Sequence, residues 1–121
     1  MNDLYTEIIL DYYKYPRNKG PLPNATTTAE EDNPLCGDKI SMHLKITNNK
    51  IEDIKFEGEG CAISQAAASI LTEELKNKTI TEVKNLSNED MINLLNIPIS
   101  PGRMKCALLG LQTTKKALEN A

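Results

Sequence analysis

The sequence predicts an α+β fold, a three-stranded antiparallel sheet packed against helices. Three observations predict it. Ile40, Met42, Leu44 and Ile46 alternate with Lys39, Ser41, His43 and Lys45, and Ile54 and Phe56 resume the alternation beyond an Asn48-Asn49 turn, the pattern of a half-buried antiparallel hairpin. From Ala62 to Lys76 the apolar period becomes helical, through Ile63, Ala66, Ala67, Ile70, Leu71 and Leu75, so one stripe of a helix faces the sheet. Met104, Leu108, Leu111 and Leu118 mark a closing helix from about Gly102 to Glu119. Strands followed by a run of helices, without βαβ alternation, make the class α+β.

The remaining elements follow from shorter signals. Tyr5, Ile8, Ile9 and Tyr12 fall at i, i+3, i+4 and i+7 of a first helix that opens near Asn2 and Asp3. Four of the five aromatic residues, Tyr5, Tyr12, Tyr13 and Tyr15, crowd into it, and the Pro- and Gly-rich stretch from Pro16 to Pro23 ends it. Ala25 to Ala29 is β-branched but shows no buried face, which predicts a weak edge strand. Thr79 with Glu82 and Ser87 with Asp90 have capping-box spacing, so two short helices fill residues 80 to 96, stopped by Pro98 and Pro101.

Composition narrows the function. A chain of 121 residues is expected to form one domain, residues 1–121, and 40% apolar with 26% charged residues is the balance of a globular protein. The net charge of -3 leaves no basic surplus for a nucleic-acid backbone, and so few aromatics cannot build a stacking platform. No apolar run approaches the roughly 20 residues that span a bilayer, and Met1-Asn2-Asp3-Leu4 does not open a basic-then-apolar leader. A cytoplasmic protein without nucleic-acid or membrane partners is expected.

The chemistry gathers at three cysteines. An odd count in a reducing compartment argues against a disulfide framework and for metal or thiol chemistry. Cys36 lies in the turn Asn33-Pro34-Leu35-Cys36-Gly37-Asp38, Cys61 ends Glu57-Gly58-Glu59-Gly60-Cys61 where strand passes to helix, and Cys106 sits in the first turn or so of the last helix. A sulfur at a helix N-terminus meets free backbone N–H groups, which favour its thiolate. Gly58 and Gly60 allow a tight exit beside Cys61. Asp38, two residues beyond Cys36, adds a carboxylate, giving the four donors that zinc takes and a thiolate-rich set suited to iron-sulfur chemistry. The separations match no zinc finger, and burial as packing residues is the ordinary fate of free cysteines. His43, the sole histidine, alternates onto the strand's polar face and is expected at the surface.

Pro34 to Asp38, Gly58 to Ser69 and Pro101 to Leu108 resemble the three cysteine motifs of the IscU, SufU and NifU N-terminal family of iron-sulfur assembly proteins. Tyr12 to Asn18 is similar to that family's helix-to-loop segment. The resemblance covers nearly the whole chain. It implies a scaffold that accepts sulfur from a cysteine desulfurase, assembles a transient cluster, [2Fe-2S] by expectation, and passes it to apo-proteins or carrier proteins. Carried over by position, Cys36, Asp38, Cys61 and Cys106 are the cluster and metal ligands, with Cys36 as sulfur acceptor. Lys105 stands where IscU-type members usually have histidine and resembles the SufU-type Arg-x-Lys-Cys, formed here with Arg103. Both cations are assigned to the working site, where an ammonium offsets thiolate charge without binding metal. The alternative is a SufU-type zinc-dependent sulfurtransferase, with Zn2+ as occupant, that delivers persulfide sulfur to a separate scaffold. The insertion usual in SufU-type chains is missing between Cys61 and Cys106. Ile99 to Arg103 keeps little of the Leu-Pro-Pro-Val-Lys run by which chaperones recognise IscU.

Overall fold

The computed structural model of the chain describes residues 3–34, 37–96 and 99–121, with side chains from residue 7 onward. Its elements are α1 (Asp3–Lys14), β1 (Thr27–Asn33), β2 (Asp38–Thr47), β3 (Lys50–Glu59), α2 (Ala62–Leu75), α3 (Ile80–Lys84), α4 (Asn88–Leu95) and α5 (Met104–Glu119), the last entered through a 3-10 turn at Pro101–Arg103. The strands form one antiparallel sheet in the order β1-β2-β3, with helices against one face. This is the α+β architecture expected.

The hairpin forms as the alternation requires. Asn48 and Asn49 both have positive φ, 53° and 64°, as a two-residue type I′ turn demands. Ile40, Met42, Leu44, Ile51, Ile54 and Phe56 are wholly buried, and Ile46, at a register shift, is half-buried. The opposite face carries a ladder of ion pairs, Lys39 to Glu30 at 3.3 Å and Lys45 to Glu52 at 3.4 Å. His43 lies on this outer face, within 3.1 Å of the Thr28 hydroxyl and 2.9 Å of the Glu57 carboxylate.

Three expectations need correction. The edge strand begins at Thr27 and runs to Asn33, and it does have a buried face, formed by Thr27, Ala29 and Asn33. That face is covered by α5, where the Thr27 hydroxyl donates to the Ala117 carbonyl at 2.8 Å. Tyr15 follows α1 rather than belonging to it and is 69% exposed; of the first helix's stripe, Ile9 is buried and Ile8 and Tyr12 pack against the core, while the Tyr5 side chain falls outside those described. Finally, α2 buries far more than one stripe, including Ser64, Gln65, Ser69 and Thr72, because it packs against α1, α5 and β3 together.

The polar residues on α2 hold the Pro- and Gly-rich connection. The Arg17 amide donates to Ser69 Oγ at 2.7 Å, and the Asn18 amide group donates to Thr72 Oγ1 at 3.2 Å. Asn18, at φ 58°, then turns the chain alongside β3, where Phe56 N–H donates to Asn18 O and Gly20 N–H to Phe56 O, each at 2.9 Å. A segment that reads as a helix stop therefore also covers part of the open edge of the sheet. Both short helices open on complete capping boxes, Thr79 with Glu82 and Ser87 with Asp90. Asn96, at φ 53°, caps the end of α4; the stop expected at Pro98 lies outside the described residues.

Candidate metal centre

Three donors arrive from three different elements. Asp38 opens β2, Cys61 is the N-cap of α2, and Cys106 is the third residue of α5. Their ligand atoms all lie within 4.8 Å of one another. Asp38 is completely buried, Cys106 is 2% exposed, and Cys61 is half-buried. Cys36 lies outside the described residues; the described residues on either side of it in the chain, Pro34 and Gly37, come just after β1 and just before β2.

Register explains the meeting of the first two. The last pair of the hairpin is Lys39 with Glu59, so Asp38 faces the chain where it leaves β3 for α2. Cys61 N–H donates to Asp38 Oδ1 at 2.7 Å, and the Cys61 thiol points to Asp38 Oδ2 at 3.7 Å. Gly60 makes the approach possible: at φ 135° a Cβ there would sit 2.2 Å from Asp38 Oδ1. On the helix side, Ser64 N–H donates to Cys61 Sγ at 3.5 Å and Ser64 Oγ donates to Cys61 O at 3.0 Å. The sulfur thus occupies the N-cap acceptor position usually filled by a hydroxyl or carboxylate oxygen. Cys106 reaches the same point because α5 lies beside α2, closely enough that a Cβ on Gly110 would be 3.4 Å from Ala68 Cα.

The donor set fits a soft, tetrahedral metal. Bond lengths of about 2.3 Å to sulfur and about 2.0 to 2.2 Å to oxygen hold donors less than about 4 Å apart, so the three atoms need only a small closing movement. Two sulfurs with one carboxylate select zinc or iron over magnesium or calcium. Lys105 and Arg103 are exposed at the start of α5; Lys105 shares a cavity of about 260 Å³ with Asp32, Asn33, Pro34, Leu109 and Gln112. His43 stands on the outer face of the sheet, as expected, and the described metal-binding group does not include it. The sequence marks Gly60 as a tight strand exit but not that Asp38 fills the space beside it, and of the part played by Ser64 the only signal was a serine three residues past an N-cap.

Residues 4–120 match the family described as the NifU-like N terminal domain. The chain belongs to that family. It is 37% identical over 135 aligned residues to the zinc-dependent sulfurtransferase SufU of Bacillus subtilis (strain 168), covering 98% of this chain and 91% of the relative. It is 36% identical over 132 residues to the iron-sulfur cluster assembly scaffold protein IscU of Thermotoga maritima, covering 96% and 93%. In three dimensions this NifU-like chain superposes at a TM-score of 0.79, with 34% identity and coverage of 93% and 94%, on a protein assigned to the SUF system of iron-sulfur assembly in Fervidobacterium islandicum AW-1. The cysteine motifs thus led to the right family. Among the described residues no helix is long and apolar enough to cross a membrane.

Proposed function

We propose that this NifU-like chain is an iron-sulfur assembly scaffold. It takes sulfur from a cysteine desulfurase, gathers iron and sulfur on Cys36, Asp38, Cys61 and Cys106 as a transient [2Fe-2S] cargo, and yields that cargo to apo-proteins or carrier proteins. The observation that supports it most is the convergence of Asp38, Cys61 and Cys106 within 4.8 Å. Each residue then has a distinct task. Cys106, buried on α5, anchors. Cys61 is oriented by the N–H groups of α2. Asp38 is the weakest donor to a soft centre and the first to leave. The Cys36 thiolate attacks the outer sulfur of the desulfurase's persulfide and displaces the desulfurase thiolate. An external two-electron donor reduces each sulfur so carried to the sulfide of the cluster, and Lys105 and Arg103 offset the charge of three thiolates and a carboxylate.

A second reading is favoured by one feature, Lys105 in place of a histidine next to Cys106. It is a zinc-dependent sulfurtransferase, in which the same four residues hold Zn2+ and one cysteine passes sulfur onward. Zinc, when bound, keeps its thiolate ligands unprotonated. Length does not separate the two readings, since the alignments of 135 residues to the Bacillus sulfurtransferase and of 132 to the Thermotoga scaffold both exceed this chain of 121.

Metal analysis of the purified protein, followed by anaerobic reconstitution with ferrous iron and sulfide, tests both. A scaffold takes up iron and sulfide, gains visible absorption and transfers it to an apo-ferredoxin. Tight zinc at one per chain, no reconstitution, and labelled sulfur passed to a second scaffold would overturn that assignment in favour of the sulfurtransferase.

A further inference from the structure

Gln65 is 3% exposed, in the first turn of α2, and its Oε1 is buried with no hydrogen-bond partner among the described residues. Buried polar atoms are nearly always paired, and an unpaired one costs stability. A methionine would fill much the same volume without that cost. The other end of the amide is engaged: Nε2 donates to Ser64 Oγ at 3.3 Å. Its direction is settled by Ser64, whose single hydroxyl hydrogen goes to Cys61 O at 3.0 Å, so the hydroxyl oxygen is left to accept. Ser64 N–H in turn donates to Cys61 Sγ, and Cys61 N–H donates to Asp38 Oδ1. An unbroken chain of contacts therefore runs from Gln65 through Ser64 to two of the three converging donors.

We propose that Gln65 is a positioning residue of the metal centre, which through Ser64 fixes the direction in which Cys61 presents its sulfur. A sulfur on a freely turning side chain offers its lone pairs over a wide cone; one tethered at its carbonyl and sulfur together does not. Groups that hold a ligand in this way tune metal affinity by about 10- to 100-fold without touching the metal. The inference rests on the metal-centre reading above, and it gives a role to Gln65, a residue of the second cysteine motif that is not one of the ligands.

Cobalt(II) is the probe, because its sulfur charge-transfer and d–d absorption report thiolate number and geometry. The wild-type chain, Gln65→Met, Ser64→Ala and the double variant are each titrated with cobalt, with a competing chelator giving affinity and urea unfolding of the metal-free protein giving stability. Gln65→Met is expected to be as stable as wild type or more so, yet to bind cobalt about tenfold more weakly with altered d–d bands. Ser64→Ala should lose at least as much affinity, and the double variant no more than Ser64→Ala alone, since both act through one hydroxyl. A Gln65→Met protein with unchanged affinity and spectrum overturns the proposal, as does one whose affinity falls only in step with its stability. A wild-type chain that takes up no cobalt overturns the metal centre itself.

Discussion

Asp38 uses its two oxygens differently, and that division can be tested. Oδ1 accepts Cys61 N–H at 2.7 Å while Oδ2 lies beside the Cys61 thiol, so one oxygen shapes the junction and the other sits on the side of the sulfur. Asp38→Asn keeps an acceptor for the amide but removes the charge; Asp38→Ala removes both and strands a donor at a buried site. Urea unfolding should show Asp38→Ala less stable by about 1 to 3 kcal/mol and Asp38→Asn by less. Both variants should release an assembled cluster more slowly than the parent in a transfer assay, because the weakest ligand is gone; transfer at the parental rate would take that role from Asp38. Gly60 is the residue on which this geometry depends. Gly60→Ala forces a Cβ to within 2.2 Å of Asp38 Oδ1 at a φ that only glycine tolerates well. It should destabilise the chain by more than about 1 kcal/mol and weaken zinc binding in a chelator competition, whereas an alanine accommodated without loss of affinity would mean that the Asp38 carboxylate is free to turn away.

At the scale of elements, the short helices α3 and α4 depend on their first turns, since neither is long enough to be stable alone. In α3 the Glu82 carboxylate accepts Thr79 N–H at 2.9 Å, and this hydrogen bond, with the Thr79 side chain, holds its pKa below the ordinary value of 4.5. A carboxyl lowered in the folded state stabilises it fully above the unfolded value and loses that contribution as pH falls through the folded value. Acidification below about 4.5 should therefore destabilise the wild type more than Glu82→Gln, which cannot titrate. Parallel urea midpoints at neutral and acid pH check this, and curves that fall together would show that the ionisation of Glu82 does not matter to stability. The same locality explains what was legible in the sequence. The Asn48-Asn49 hairpin, both capping boxes and the three long helices are written in neighbouring residues. The buried face of β1 and the buried serines and threonines of α2 are not, because α5 and the Arg17–Asn18 segment, distant in the chain, are what bury them. Cys61 and Cys106 stood out as thiols at element ends, whereas their convergence with Asp38 depends on strand register and on the small Gly110 between α5 and α2.

For the molecule as a whole, the candidate centre joins parts of the chain that are far apart in sequence: the start of β2, the β3–α2 junction and the first turn of α5. Among the described residues, α5 is the last element added, after the sheet and α2, and its N-terminal turn is entered from an exposed stretch, Ser100 to Arg103. A metal held by Asp38, Cys61 and Cys106 would tie that turn to the sheet and act as a cross-link formed only in the folded state, because the donors are scattered in the unfolded chain. Its contribution follows from mass action, about 2.7 kcal/mol when free zinc is 100-fold above its dissociation constant. For a chain of this size that amounts to a rise in Tm of roughly 10 °C. Calorimetry with zinc and then with excess chelator should show the rise and its reversal. Cys106→Ser, which removes the only described donor on α5, should lose most of the zinc-dependent rise, while its metal-free Tm shifts by much less. A zinc-dependent rise of full size in Cys106→Ser would mean that zinc binds elsewhere and that α5 is held by its apolar face alone.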